Sequence, residues 1–167
     1  MDYLRKPLSR EQFKKYLFDD FKQRREIDKI VLHYLWKRKE NYFWGIKSLI
    51  GLDEYYKKQD RTFAFHLCVK DDDIWIAKDL NEKPDQSGDA KINDWAIALE
   101  CDAVIGHRPP NKKTWKTYLF VISMLMKRFT LNPNHLFLHK EFHEGDTCPD
   151  FTKEFLLKEL NGEKHEK

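Results

Sequence analysis

LFLHKEFHEGDTCPD, residues 136–150, runs a short apolar, strand-like segment straight into His139 and places Cys148 nine positions later, just before a proline. A buried strand gains nothing from a terminal imidazole, so the histidine calls for a separate explanation. The same pattern stands far upstream in IVLHYLW, residues 30–36, where Ile30, Val31 and Leu32 lead into His33. Ligands at strand ends are held rigidly and face a cleft. A lone histidine in such a place is more often a core residue, but here two strands present the same side chain at the same place. The segment between His139 and Cys148 holds eight residues, including Gly145, enough for the chain to turn and return a thiolate. Two imidazoles and one thiolate leave one tetrahedral position open, the arrangement of a catalytic zinc rather than a closed structural one.

Other segments supply the remaining elements. Ser9 with Gln12 three positions on forms a capping-box pattern, and Phe13, Tyr16, Leu17 and Phe21 follow at helical spacing. SLIGLDEYYKKQ (48–59) reads as an amphipathic helix; FAFHLCV (63–69) and IWIAKDL (74–80), split by acidic Asp71–Asp73, read as a β-hairpin. The polar stretch 81–94 reads as a loop, and WAIALECDA (95–103) as a strand. In 112–130, Trp115, Tyr118, Leu119, Ile122, Leu125, Met126 and Phe129 form one apolar stripe, the clearest helix in the chain. FTKEFLLKEL (151–160) predicts a closing helix. The expected fold is α/β: a single domain with a mixed central β-sheet and helices on its faces.

A length of 167 residues suits one domain, with an N-terminal cap helix segment over 1–28, the main domain over 29–160 and a charged tail over 161–167. Net charge is +3, from 31 basic and 28 acidic residues scattered among one another, so no nucleic-acid footprint is present. The longest apolar run, Tyr118–Met126, is too short to span a bilayer, and the charged N-terminus has no secretory signal. The expectation is a chain made and kept in the cytosol, without membrane insertion. Nothing in the sequence sets an oligomeric state. Cys68, Cys101 and Cys148 are an odd number, which argues against a disulfide framework.

Other groups compete for roles. His66 and Cys68 share one strand face and either form a second metal pair or pack in the core. Asp146 is an alternative third ligand. His143 lies close enough to line a cleft, and Cys148 with His139 or His143 would make a nucleophilic thiol pair in a metal-free alternative. Alternation puts Ala96, Ala98 and Glu100 on one strand face. Glu100 either faces solvent at the strand end or is poised for proton transfer beside a zinc-bound water.

Taken in order, these segments resemble the zinc-dependent N-acetylmuramoyl-L-alanine amidases, the family that includes phage endolysins and peptidoglycan recognition proteins. The resemblance covers about residues 8–151. IVLHYLW resembles the strand with the first zinc histidine, and IALECD the strand with the catalytic glutamate. FAFHLCVKDDDIW resembles the hairpin, with His66 at a common non-ligand position. LFLHKEFHEGDTCPDF resembles the segment with the second histidine and the closing Cys-Pro. The resemblance implies that His33, His139 and Cys148 hold Zn²⁺, that Glu100 manages the proton, and that bacterial peptidoglycan is the substrate. A lytic phage-type enzyme would act on the wall after release from the cell. Trp44, Tyr55, Asp53 and the loop 81–94 are expected groove walls, with weak substrate contacts at Trp44, His66 and His143. Three departures stand out. Asp146 replaces a lysine that stabilises an oxyanion in many members, leaving His143, Lys140 or a main-chain N–H to substitute. Phe65 replaces a tyrosine. Asp85, Gln86 and Ser87 fill a region where a histidine is frequent. The alternative is a weak or inactive peptidoglycan-binding module of the same fold.

Overall fold

Why one sheet can carry both histidines follows from strand pairing. The structure, a computed structural model, describes residues 3–36, 38 and 40–162; the tail expected over 161–167 lies outside them from residue 163 onward. Its strands are β1 (Pro7–Leu8), β2 (Lys29–Trp36), β3 (Leu67–Lys70), β4 (Asp73–Ile76), β5 (Ala96–Val104) and β6 (Leu136–Leu138). They form one six-stranded sheet in the order β1-β4-β3-β5-β2-β6. β2, flanked by β5 and β6, is parallel to both; β3 is parallel to β5, while β3–β4 and β4–β1 are antiparallel. This is the expected mixed sheet.

Side-chain alternation splits the sheet into two faces. Ile30, Leu32 and Tyr34 of β2 join Ile97, Leu99 and Cys101 of β5 in the larger core. Three helices cover it: α1 (Arg10–Lys15), α4 (Lys112–Arg128) and α5 (Lys153–Gly162). Tyr118, Leu119, Ile122 and Leu125 of α4 are buried there, and Trp115, Met126 and Phe129 pack against it half-buried. Fully burying one such aliphatic side chain stabilises by about 1.5–3 kcal/mol. The smaller core lies on the other face, where Leu49 of α2 (Ile46–Lys57) meets Phe43, Phe65, Cys68, Trp75 and Ala98. His33 and Glu100 belong to this second face by register. α2 packs over only part of it, so the remainder is a groove.

The N-terminal segment shares the main core: Phe13 and Leu17 are fully buried, and β1 adds a short strand at the sheet edge. Ser9 caps α1 in a full capping box, accepting from Gln12 N–H while Gln12 Oε1 accepts from Ser9 N–H. Ser9→Ala is expected to lower stability by about 1 kcal/mol, read as a lower denaturant midpoint with an unchanged m-value. The segment expected as a loop over 81–94 ends in a further short helix, α3 (Ala90–Trp95), which also takes Trp95 from the expected strand 95–103; Asp89 caps it, accepting from Lys91 N–H. Its pattern is too short for periodicity to reveal. Among the described residues no helix is long and apolar enough to cross a membrane.

Candidate metal centre

His33 stands on β2 directly opposite Glu100 of β5, with its Nδ1 4.0 Å from Glu100 Oε1. On the other side Leu32 pairs with Leu138, so the next residue after β6, His139, arrives beside His33. The two rings lie 4.5 Å apart between centroids. The strand expected to begin with HLFLH (135–139) is shorter at both ends: His135 belongs to a 3₁₀ turn, Pro133–His135, and His139 opens another, His139–Glu141, which swings the chain out of the sheet. The chain then returns, and Lys140 N–H donates to Cys148 O at 2.7 Å. The Cys148 thiol is buried and accepts from Tyr34 N–H at 3.3 Å. One ligand atom each from His33, His139 and Cys148 lies within 4.8 Å of the others. That is the scale of one tetrahedral ion's coordination sphere, and two imidazoles with a thiol suit zinc.

Glu100 is buried at 9% exposure rather than facing solvent at the strand end. Burial pushes its pKa up to about 8. Its Oε2 has no hydrogen-bond partner among the described residues. An orphaned buried carboxylate oxygen beside three converging donors fits a site built to receive a cation, because a cation favours the charged form that burial disfavours.

The groove above these groups encloses ≈ 850 Å³ and is lined by His33, His139, Cys148 and Glu100 at its floor. Tyr55, Tyr56 and Arg61 from α2 and the segment after it form part of one wall, and Asp85 with Gln86 part of another. Trp44 is 72% exposed and is outside that lining; its N–H donates to Ser48 Oγ, which does line the groove. Asp53 is also outside it, held by Arg5 and Lys57. His143 borders a smaller adjoining hollow of ≈ 460 Å³, with its ring 5.2 Å from that of His139.

His66, expected as a weak substrate contact, does not reach the groove. It is fully buried; Nδ1 accepts from Ala98 N–H at 3.0 Å and Nε2 meets Glu82 O at 2.9 Å. Burial pushes its pKa down to about 3, so the ring is neutral and Nε2–H donates to Glu82 O. With both nitrogens engaged by the main chain, His66 and Cys68 make no metal pair. Asp146 likewise stands outside the ligand group. Its Oδ2 lies 3.3 Å from His139 Nδ1 and its Oδ1 accepts from Cys148 N–H at 2.9 Å. It braces two ligand residues instead of serving as a third donor. Lys140 donates from Nζ to Phe151 O at 2.7 Å, which turns it towards the main chain.

No family model matches the sequence, and no curated protein sequence matches it. Solved structures do match its fold. The endolysin N-acetylmuramoyl-L-alanine amidase LysCS from Clostridium intestinale superposes with a TM-score of 0.67 at 16% identity, over 96% of this chain and 93% of that one. Drosophila PGRP-LB superposes with 0.62 at 12% identity, over 89% and 81%. The Ph2119 endolysin from the Thermus scotoductus bacteriophage superposes with 0.61 at 19% identity, over 84% and 89%. The chain therefore has the fold shared by N-acetylmuramoyl-L-alanine amidases, phage endolysins and a peptidoglycan recognition protein.

Proposed function

We propose that this chain is a zinc-dependent N-acetylmuramoyl-L-alanine amidase, a phage-type hydrolase of bacterial peptidoglycan that cuts between the lactyl group of N-acetylmuramic acid and L-alanine. The observation that carries it is the convergence of His33, His139 and Cys148 at the floor of an open groove with Glu100 beside them. The likeness to an endolysin N-acetylmuramoyl-L-alanine amidase over 96% of this chain supports the substrate class.

His33, His139 and Cys148 would hold Zn²⁺, which when bound acidifies water and polarises a carbonyl. Glu100 takes the proton of the attacking water and delivers it to the leaving amine nitrogen. Its burial disfavours the anion, and bound zinc would oppose that shift, which would let the carboxyl both accept and release a proton near neutral pH. The groove walls at Tyr55, Tyr56 and Arg61 orient the muramyl peptide over the floor. Asp146 holds His139 and the Cys148 main chain in place, so oxyanion stabilisation falls to other groups than the side chain at position 146.

That carboxylate favours a second reading, a wall-binding module with little turnover. Incubating the zinc-loaded chain with purified peptidoglycan separates the two. The amidase releases new L-alanine amino termini without new reducing sugar ends, and chelation stops the release. Binding to walls with no new amino termini overturns the enzyme in favour of the binder.

A further inference from the structure

We propose that Gln86 is a positioning residue for the metal centre: its side-chain carbonyl holds His33 in the tautomer that offers Nδ1 to the ion, and an Arg61–Asp85 pair locks the loop that carries it. This rests on the zinc centre proposed above but concerns a residue outside the ligand set. His33 Nε2 lies 2.6 Å from Gln86 Oε1. A carbonyl oxygen only accepts, so Nε2 carries the hydrogen. In a neutral imidazole the lone pair then sits on Nδ1, the nitrogen that faces Glu100 at 4.0 Å. Partners of this kind fix the orientation of a ligating ring and raise its basicity.

A positioning group must itself be held, and three independent ties hold this loop. Arg61 donates from Nε to Asp85 Oδ2 at 2.8 Å and from a terminal nitrogen to Asp85 O at 3.2 Å, with its guanidinium 5.5 Å from the Tyr56 ring centroid. On the other side of Gln86, buried Ser87 donates from its main-chain N–H and its hydroxyl to Asn93 Oδ1 of α3 at 3.2 and 2.8 Å. Gly88 follows with φ +67°, and a Cβ there would stand 3.2 Å from His143 Cε1. The base of the loop is tied by Arg25 to Leu80 O, Asp94 O and Ala96 O, and by His66 to Glu82 O. Among these ties, Arg25, Ser87 and Asn93 are polar groups to which the proposed reaction gives no other role.

Two measurements test the assignment. Long-range ¹H–¹⁵N NMR of metal-free, unsubstituted protein should show His33 as the Nε2–H tautomer. Zn²⁺ titration against a chromophoric chelator should show Gln86→Ala binding about 10–100-fold more weakly, with the His33 tautomers mixed. Gln86→Glu, which keeps an acceptor, should stay within about threefold of the unsubstituted chain. An Nδ1–H tautomer in the unsubstituted chain overturns the assignment without need of any variant. So does Gln86→Ala binding zinc within about twofold of it. An unsubstituted chain that takes up no zinc overturns the metal centre itself, a different failure from a zinc site indifferent to Gln86.

Discussion

His139→Ala is expected to abolish tight zinc binding and wall hydrolysis together, while leaving the metal-free fold close to its original stability. In the proposed centre the imidazole is one of three protein donors found together among the described residues, and a catalytic zinc needs three to hold the ion against water. Its loss should weaken Zn²⁺ by more than the roughly 100-fold that removing a mere supporting partner costs. The fold should tolerate the change because His139 lies in a 3₁₀ turn at the groove floor, beyond the last paired residue of β6 and outside both hydrophobic clusters. The clean readout is the zinc dependence of melting. A ligand at a hundred times its Kd stabilises by about 2.7 kcal/mol, so the unsubstituted chain should melt higher with added zinc and His139→Ala should not. His33→Ala should behave the same way in metal binding, with a larger effect on the metal-free fold, since His33 is 5% exposed in a central strand. Full zinc occupancy and full hydrolysis in His139→Ala would remove the metal centre from the mechanism. Activity that survives chelation with the fold intact would instead point to the Cys148 thiol as a nucleophile.

The parts of this molecule that were legible in the sequence are those governed by local pattern. The apolar stripe of α4, the capping box at Ser9 and the run that ends in His139 are read directly, because helix period and strand burial leave marks in consecutive residues. His33, expected at a strand end, lies inside β2, whose pairing with β5 continues to Trp36. The alternation in β5 placed Glu100 on the same face as Ala98, and the structure has it so, but its depth was not legible. Glu100 sits in the middle of β5 (Ala96–Val104), and how far a groove-facing residue there is covered depends on α2 and the segment 81–94, which is a long-range outcome. Gln86 was legible only as part of a stretch, 85–87, where a histidine is frequent; its contact was not, because an amide in a polar loop has no period and its bond to His33 spans 53 positions. Asp146 was legible only as a departure from a pattern; its bracing of His139 and Cys148 required the fold of the returning loop. His66 shows the converse. Its neighbourhood looked like a site, yet the main chain of β5 and the loop at Glu82 absorb both of its nitrogens.

Glu100→Gln is expected to keep zinc and lose turnover by about 10²–10⁴-fold. The amide matches the carboxyl in size and shape, so the β2–β5 pairing and the three donors stay in place. What disappears is the group that in the proposed reaction accepts the proton of the attacking water and returns it to the leaving nitrogen. A structural role predicts the opposite balance, because the carboxylate is a liability to the fold: it is buried, Oε2 lacks a partner among the described residues, and burial pushes the pKa up to about 8 from 4.5. The sign follows from that direction. A folded pKa raised above the unfolded value means stability is fully present below the unfolded pKa and is lost as pH rises through the folded one. The metal-free chain should therefore weaken between about pH 4.5 and 8, and Glu100→Gln should remove that part of the decline. Turnover lost while stability at pH 8 is held or raised is the signature of a proton-transfer group. Undiminished hydrolysis by Glu100→Gln, at equal zinc content, would move the proton elsewhere in the groove.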